Sequence, residues 1–361
     1  MSTNQNKESF FLRLAFRQAK INLGSTSSNP SVGCVVVKNN SVISSACTSF
    51  NGRPHAEAMA LKKNINFKGS DIYITLEPCS HYGRTPPCVK NIIRNKLHKV
   101  TFSINDVDIR SKDLAFERLK KAKINVKRFI YKSYAEKFYK SYFLQSSKQL
   151  PYIDVKLAVS NDYYSIDKKK KWITNNNSRN VGNFLRSEYD CILSTSKTIN
   201  CDNPLLNCRI EGLEEKSPAV IIVDREFKIK KKLKMFANKS REIFIFTQIK
   251  NKKKEEFFKK IGVNIIKLNK STCLKHDICE VYFLLKQLGF NRILVESGVK
   301  YINEILKNNL IKNFYLFKSS FNLKNNGRNN TKINLIKKLK TTIKNKIKIN
   351  LNGDSLYKIH L

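Results

Sequence analysis

Two α/β domains in tandem are what this sequence predicts, on three observations. The chain has 361 residues, a length that suits two domains better than one or three. Apolar runs of strand length alternate with stretches of helical spacing along most of it, the pattern of sheets covered by helices. That alternation breaks once, after a helical stretch at 134–146. Leu150-Pro151 stops the chain there, because a residue ahead of proline is pushed out of the α region. The expected division is 1–147 and 148–361.

In the first part, residues 10–22 carry Leu12, Leu14, Ala15 and Ala19 at helical spacing. Residues 33–37, 71–76 and 100–104 are short apolar runs, expected as buried strands. Between them, 56–63 and 87–96 are expected helices. Pro86 and Pro87 suit the start of the second, where a missing N–H costs little. The succession implies a mostly parallel sheet. In the second part, strands are expected at 152–159, 191–194, 219–224, 243–247, 263–268 and 292–296, with helices at 281–288 and 301–310 among them. The four lysines at 168–171 are expected to form a solvated loop, and the Lys/Asn-rich stretch 322–348 is of mixed character. No short fixed repeat is present.

The formal net charge is +41, from 69 Lys and Arg against 28 Asp and Glu. Such a balance raises the question of nucleic acid. Lys, Asn, Ile, Phe and Tyr are plentiful, however, while Gly (12) and Pro (8) are few. The favoured residues share codons rich in A and T, and the excess is spread along the chain. The charge is therefore read as nucleotide bias, with no specific nucleic acid as partner. No apolar run approaches the roughly 20 residues of a membrane span. Nine cysteines without a secretory signal argue against a disulfide framework. The expected compartment is the reducing cytoplasm.

The chemistry is concentrated in His55-Ala56-Glu57, Glu77-Pro78-Cys79 and Cys88. One imidazole and two thiolates suit Zn²⁺, and three protein ligands leave a fourth position for water, as in catalytic rather than structural sites. Zinc lowers the pKa of such a water to roughly 7. Glu57, two residues past His55 at a helix start, is placed to take the water's proton and return it to a departing amine. The H-x-E…P-C…C order is that of zinc deaminases, although the usual gap between the cysteines is two residues; here Cys79 and Cys88 enclose eight. Cys34, Cys47, Cys191, Cys201, Cys208, Cys273 and Cys279 show no ligand spacing and are taken as structural.

The stretch from Thr75 through Leu76-Glu77-Pro78-Cys79-Ser80-His81-Tyr82-Gly83-Arg84-Thr85-Pro86-Pro87-Cys88 resembles the signature of the bifunctional riboflavin-biosynthesis deaminase–reductases, the RibD family. Asn29-Pro30-Ser31-Val32-Gly33-Cys34 and Pro54-His55-Ala56-Glu57 match it too. The resemblance implies a cytidine-deaminase-like α/β/α sandwich over 1–147, acting on a phosphoribosylamino-pyrimidinone. A dihydrofolate-reductase-like α/β domain over 148–361 would use NADPH to open the ribose to a ribityl chain. By the same resemblance His55, Cys79 and Cys88 hold zinc, Glu57 moves the proton, and Asn29, His81, Arg84 and Thr85 face the substrate and its phosphate.

In the second half the matching pieces are Lys156-Leu157-Ala158, Trp172-Ile173-Thr174, Arg186, 195–198, 202–209 and Val295-Glu296-Ser297-Gly298. They imply substrate contacts from Arg186, Leu205, Arg209 and Glu296, NADPH contacts from Ala158, Trp172, Thr198, Asp202 and Gly298, and homo-oligomers formed through the second domain. The chain departs from the family pattern at several points. Thr48 stands for a His and Arg53 for a Glu. A Pro/Gly-rich loop is replaced by 106–113, where only Asp106 is kept, and Ser297 stands for a Gly. The drift in the second half keeps open an active deaminase with a decayed, structural reductase domain. The charge keeps open a nucleic-acid deaminase or RNA-binding protein.

Overall fold

The computed structural model describes residues 2–147, 150–237, 240–329 and 345–360. They fall into two units, Met1–Lys148 and Gln149–Leu361. Most of the 322–348 stretch lies outside the described residues. No helix is long and apolar enough to cross a membrane, among the residues described.

Unit one runs α1 (Ser2–Ile21), β1 (Gly33–Lys38), β2 (Ser41–Cys47), α2 (Ala56–Ala60), β3 (Asp71–Ile74), α3 (Cys88–Arg94), β4 (Lys99–Phe102), α4 (Leu114–Lys121), β5 (Asn125–Arg128), α5 (Lys132–Phe138) and α6 (Lys140–Ser147). Its sheet order is β2-β1-β3-β4-β5. The sheet is mixed rather than mostly parallel: β1 pairs antiparallel with both β2 and β3, while β3–β4 and β4–β5 are parallel. The reason is a hairpin, since Asn39 and Asn40 take positive φ (49° and 63°) and turn β1 straight back into β2 without a crossover helix.

Side chains alternate across this sheet as the pleat demands. Val35, Val37 and Tyr73 pack with Phe11, Leu12 and Ala15 of α1. Cys34, Val36, Ile72 and Ile74 pack on the other face with Ala56 and Ala60 of α2 and Val89 and Ile92 of α3. Gly33 is required by close approach: a Cβ there would sit 1.8 Å from the Ala15 carbonyl oxygen.

Unit two runs β6 (Tyr152–Val159), β7 (Ile166–Asp167), α7 (Asn176–Arg186), β8 (Cys191–Thr195), α8 (Ser196–Asp202), β9 (Ala219–Val223), β10 (Ile243–Thr247), α9 (Lys252–Lys260), β11 (Val263–Lys267), α10 (Leu274–Gln287), β12 (Arg292–Val295), α11 (Val299–Lys307), β13 (Ile311–Lys318), β14 (Gly327–Arg328), β15 (Asn345–Lys346) and β16 (Ser355–His360). The main sheet has the order β11-β10-β9-β8-β12-β6-β13-β16-β15, and β14 pairs with β7 apart from it. Its pairings are parallel from β11 to β13 and antiparallel for β16 and β15.

One face of this sheet buries Val155, Leu157, Leu193 and Val295 against Val281 and Leu285 of α10 and Ile302 and Ile305 of α11. The other buries Ile192, Ile222 and Leu294 against Leu185, Ile199 and Phe258. Helices on both faces put the carboxyl ends of β6, β8 and β12 side by side, where open α/β sheets hold ligands. The lysines at 168–171 are exposed, as a solvated loop requires.

Candidate active sites

In unit one, three donors arrive from three places in the fold. His55 is the residue before α2, Cys79 follows β3 by a short turn, and Cys88 opens α3. His55 Nδ1 lies 3.5 Å from the Cys79 Sγ and 3.5 Å from the Cys88 Sγ, and all three donor atoms lie within 4.8 Å of one another. A tetrahedral zinc with Zn–S near ~2.3 Å and Zn–N near ~2.0 Å has N···S edges of about 3.5 Å. The donor set and its spacing therefore fit zinc. Among the described residues no other His, Cys, Asp and Glu side chains converge in this way.

The eight-residue insert is closed at its base, where the Cys88 N–H donates to the Cys79 Sγ at 3.3 Å and the Val89 N–H to the Cys79 carbonyl at 3.3 Å. The Cys88 thiol and then His55 draw Cys79 down to about 4, so it stands as the thiolate that metals bind. Glu57 is buried in the first turn of α2. Burial, and next the negative Cys79, push its carboxyl up to about 7, with His55 opposing. A carboxyl balanced near neutrality can both take and return a proton.

Around these ligands sit the other expected residues. The Asn29 Nδ2 donates to the Gly52 carbonyl at 2.8 Å and its main-chain carbonyl accepts from the Thr26 hydroxyl at 2.8 Å, which leaves the side-chain Oδ1 to accept. Gly52 holds φ +84°, and a Cβ there would lie 2.5 Å from the Thr26 carbonyl oxygen, so the turn beneath Asn29 needs glycine. Thr85 Oγ1 accepts from the Arg53 Nη1 at 2.6 Å. Arg84 is exposed on the insert. His81 Nδ1 meets the Ser111 Oγ at 2.8 Å, and the same oxygen accepts from the Ser80 N–H at 3.3 Å. Thr48 is buried and closes the end of β2, its Oγ1 accepting from the Val32 N–H at 2.9 Å.

Sequence reasoning missed Ser111, which lies in the segment where the family pattern is lost, and missed the work of Glu77. The buried Glu77 carboxylate accepts N–H groups from Asp106 (3.1 Å), Asp113 (3.2 Å) and Ala115 (3.2 Å). Burial pushes it up to about 7 against those three bonds.

In unit two the Arg186 Nε and Nη2 grip Glu296 at 2.7 and 3.0 Å. Its Nη1 donates to the Asn183 Oδ1 and to the Asn207 carbonyl, each at 3.0 Å. Burial alone would raise Glu296; Arg186 and Lys156 overcome that and hold it at about 2. Lys156 Nζ stands 3.8 Å from Glu296, and burial lowers its pKa. Lys156, in the middle of β6, belongs to a piece the sequence matched to the family, but its place beside Glu296 was not legible there.

Arg209 donates to the Asn207 Oδ1 at 2.8 Å. Arg241 donates to the carbonyls of Leu205 and Leu206 and so fixes the turn carrying Leu205. The Gly298 N–H donates to Thr198 Oγ1 at 3.1 Å, and Thr195 links Thr198 to Ser297 at 3.2 and 3.1 Å. Asp202 closes the same helix, α8. Trp172 is 54% exposed, flanked by Lys171 and Arg179 at 5.3 and 5.1 Å from its ring centre. Ala158 packs against the cluster of Phe317, Leu351 and Leu356. Arg186 and Glu296 are thus joined directly, as are Thr198 and Gly298. Trp172 and Ala158 make separate contacts.

Comparison with known proteins agrees with both halves. Residues 5–104 match the cytidine and deoxycytidylate deaminase zinc-binding region, and 151–341 match the RibD C-terminal domain. The riboflavin biosynthesis protein RibD of Aquifex aeolicus is 32% identical over 310 residues, covering 85% of each chain. That of Buchnera aphidicola subsp. Baizongia pistaciae is 31% identical over 327 residues, covering 86% of each. Among solved structures, Acinetobacter baumannii RibD superposes with a TM-score of 0.81 at 25% identity over 99% of both chains. A Thermotoga maritima diaminohydroxyphosphoribosylaminopyrimidine deaminase/5-amino-6-(5-phosphoribosylamino)uracil reductase has the same fold, with a TM-score of 0.80 at 23% identity over 99% of both. With one model matched in each half and relatives aligned over most of their length, the chain belongs to the RibD family.

Proposed function

We propose that this protein performs both reactions of its family. Unit one would remove ammonia hydrolytically from 2,5-diamino-6-(5-phosphoribosylamino)pyrimidin-4(3H)-one, and unit two would reduce the ribosyl side chain to ribityl with NADPH. The observation that carries the reading is the convergence of His55, Cys79 and Cys88 with Glu57 buried beside them.

In the deaminase, His55, Cys79 and Cys88 are the residues that would hold zinc. Zinc, when bound, supplies a water acidified to roughly pKa 7. Glu57 takes the proton as water adds to the amino-bearing ring carbon and returns it to the nitrogen that leaves as ammonia. Asn29 offers its amide oxygen to the ring, while His81, Arg84 and Thr85 bind the far end of the substrate with donors suited to phosphate oxygens.

In the reductase, Arg186 and Glu296 form a fixed pair that, with Arg209 and the Leu205 turn, binds the substrate. Thr198, Asp202 and Gly298 hold the dinucleotide, with Ala158 and Trp172 along it. The cofactor carries the hydride and the protein orients it. We assign the positive charge to composition, place the protein in the cytoplasm, and carry over self-association through the second unit.

The test is ammonia release by zinc-loaded protein from the phosphorylated diaminopyrimidinone, followed by NADPH consumption. Release that persists at full rate in zinc-stripped protein would refute the deaminase assignment. A decayed second unit would show no NADPH binding by fluorescence at micromolar concentration, whereas binding there supports the two-step reading. Filter binding to RNA that stayed tight at 0.2 M salt would count against the assignment of the charge.

A further inference from the structure

Arg53 is a cationic side chain close enough to the zinc ligand His55 to act on its charge, and the reading above leaves it without a task. It lies two residues before His55 on the segment entering α2 and is half-buried. Among the described residues it has no carboxylate partner. One side-chain hydrogen bond is formed, from Nη1 to Thr85 Oγ1 at 2.6 Å. A guanidinium carries five N–H donors, so most of them point elsewhere.

Where they point is fixed by Gly83. A Cβ placed on that glycine would have Arg53 Nη2 at 3.4 Å and His81 Nε2 at 3.9 Å as its neighbours. The second Arg53 nitrogen and the outer nitrogen of His81 therefore flank the same side of one backbone position, beside the Thr85 hydroxyl. The His81 ring is held from behind, since its Nδ1 is taken by Ser111. A guanidinium fork with no carboxylate bonded to it among the described residues, a hydroxyl, and an imidazole nitrogen near which Asp108 lies match a tetrahedral oxyanion better than any neutral group.

We propose that Arg53 binds the phosphate monoester of the deaminase substrate and sets the enzyme's preference for phosphorylated over dephosphorylated pyrimidines. The proposal rests on the deaminase reading for the identity of the substrate. It does not rest on that reading for the existence of an anion site. Arg53 stands where the family pattern has Glu, so the contact belongs to this chain.

Two measurements on the zinc-loaded full-length protein test this. The first is direct binding of inorganic phosphate by calorimetry, in wild type, Arg53→Ala and Arg53→Lys. The second is kcat/KM for ammonia release from the phosphorylated substrate and from its dephosphorylated counterpart. In Arg53→Ala the ratio of the two kcat/KM values narrows by about 10- to 100-fold, the range for losing a hydrogen bond to a charged group. The change lies in KM, and phosphate binding weakens in parallel. Arg53→Lys keeps the charge but not the fork and falls between.

Equal losses on both substrates would make Arg53 an organiser of the loop and overturn the proposal, as would an unchanged ratio. Should Arg53→Ala lose zinc or unfold, Arg53→Lys and Arg53→Gln report the same ratio. A wild-type protein that releases ammonia from neither compound refutes the deaminase reading, and the phosphate titration alone then decides whether Arg53 binds the anion.

Discussion

Ser111→Ala separates the positioning of His81 from the chemistry at the metal. The Ser111 hydroxyl is fully buried. Its oxygen accepts from the Ser80 N–H at 3.3 Å, so its own proton needs an acceptor, and His81 Nδ1 lies 2.8 Å away. That bond leaves the proton of neutral His81 on Nε2, facing outward as a donor. Removing the hydroxyl frees the ring to turn and to change tautomer. One neutral hydrogen bond is worth about 0.5–1.5 kcal/mol net, so KM for the phosphorylated substrate should rise about 2- to 10-fold while kcat holds. The Ser80 N–H also loses its acceptor. At 3.3 Å that bond is long, and about 1–2 kcal/mol is the expected loss of stability. For a unit of 148 residues this is a fall of roughly 2–8 °C in Tm. Steady-state ammonia release, a thermal melt and the ¹⁵N shifts of the His81 ring read the three effects. An unchanged KM together with an unchanged Nε2–H tautomer would refute the reasoning.

Three further outcomes are expected. Glu57→Gln keeps zinc at one per chain by atomic absorption but slows ammonia release by about 10²–10⁴-fold, the usual share of a positioned acid–base group. Cys88→Ser removes zinc and ammonia release together. NADPH consumption with the deaminated intermediate persists in that variant, because unit two holds its own core. Glu296 sits at about 2 in the folded chain, below its ordinary 4.5. A depressed carboxylate contributes stability above the unfolded pKa, and that contribution fades as pH falls from 4.5 through about 2. The amount is on the order of 3 kcal/mol. Chemical denaturation across that acid range should show the slope in wild type and lose it in Glu296→Gln.

Several strands of unit two were legible as short runs rich in Val, Ile and Phe: Ile243–Thr247 is buried throughout, and even Val263–Lys267, half-exposed at the end of the sheet, keeps three apolar residues. Val263–Lys267 and Ile243–Thr247 fall where the runs lie. β2 was not legible: Ser41–Cys47 contains three serines, and most of it is half-buried or exposed, so period and hydropathy are both weak. Missing it turned a mixed sheet into a mostly parallel one. β13 and β16 were hidden in a Lys- and Asn-rich background. The zinc residues stood out because His-x-Glu and Pro-Cys are chemical patterns independent of packing. Ser111 carries no such pattern, and Lys156, though inside a matched piece, was given no task. They acquire meaning only when the fold sets one against His81 and the other 3.8 Å from Glu296.

Glu77 holds the segment 106–115 by three main-chain N–H groups and by no side chain of that segment. A grip on backbone amides is indifferent to the letters written along the loop, provided the path of the chain is kept. Mutation can therefore exchange Pro and Gly for Asp, Ile, Arg and Lys there without loosening the turn that carries Cys79. The loop is free to try new contacts, the Ser111 hydroxyl behind His81 among them, at little risk to the metal.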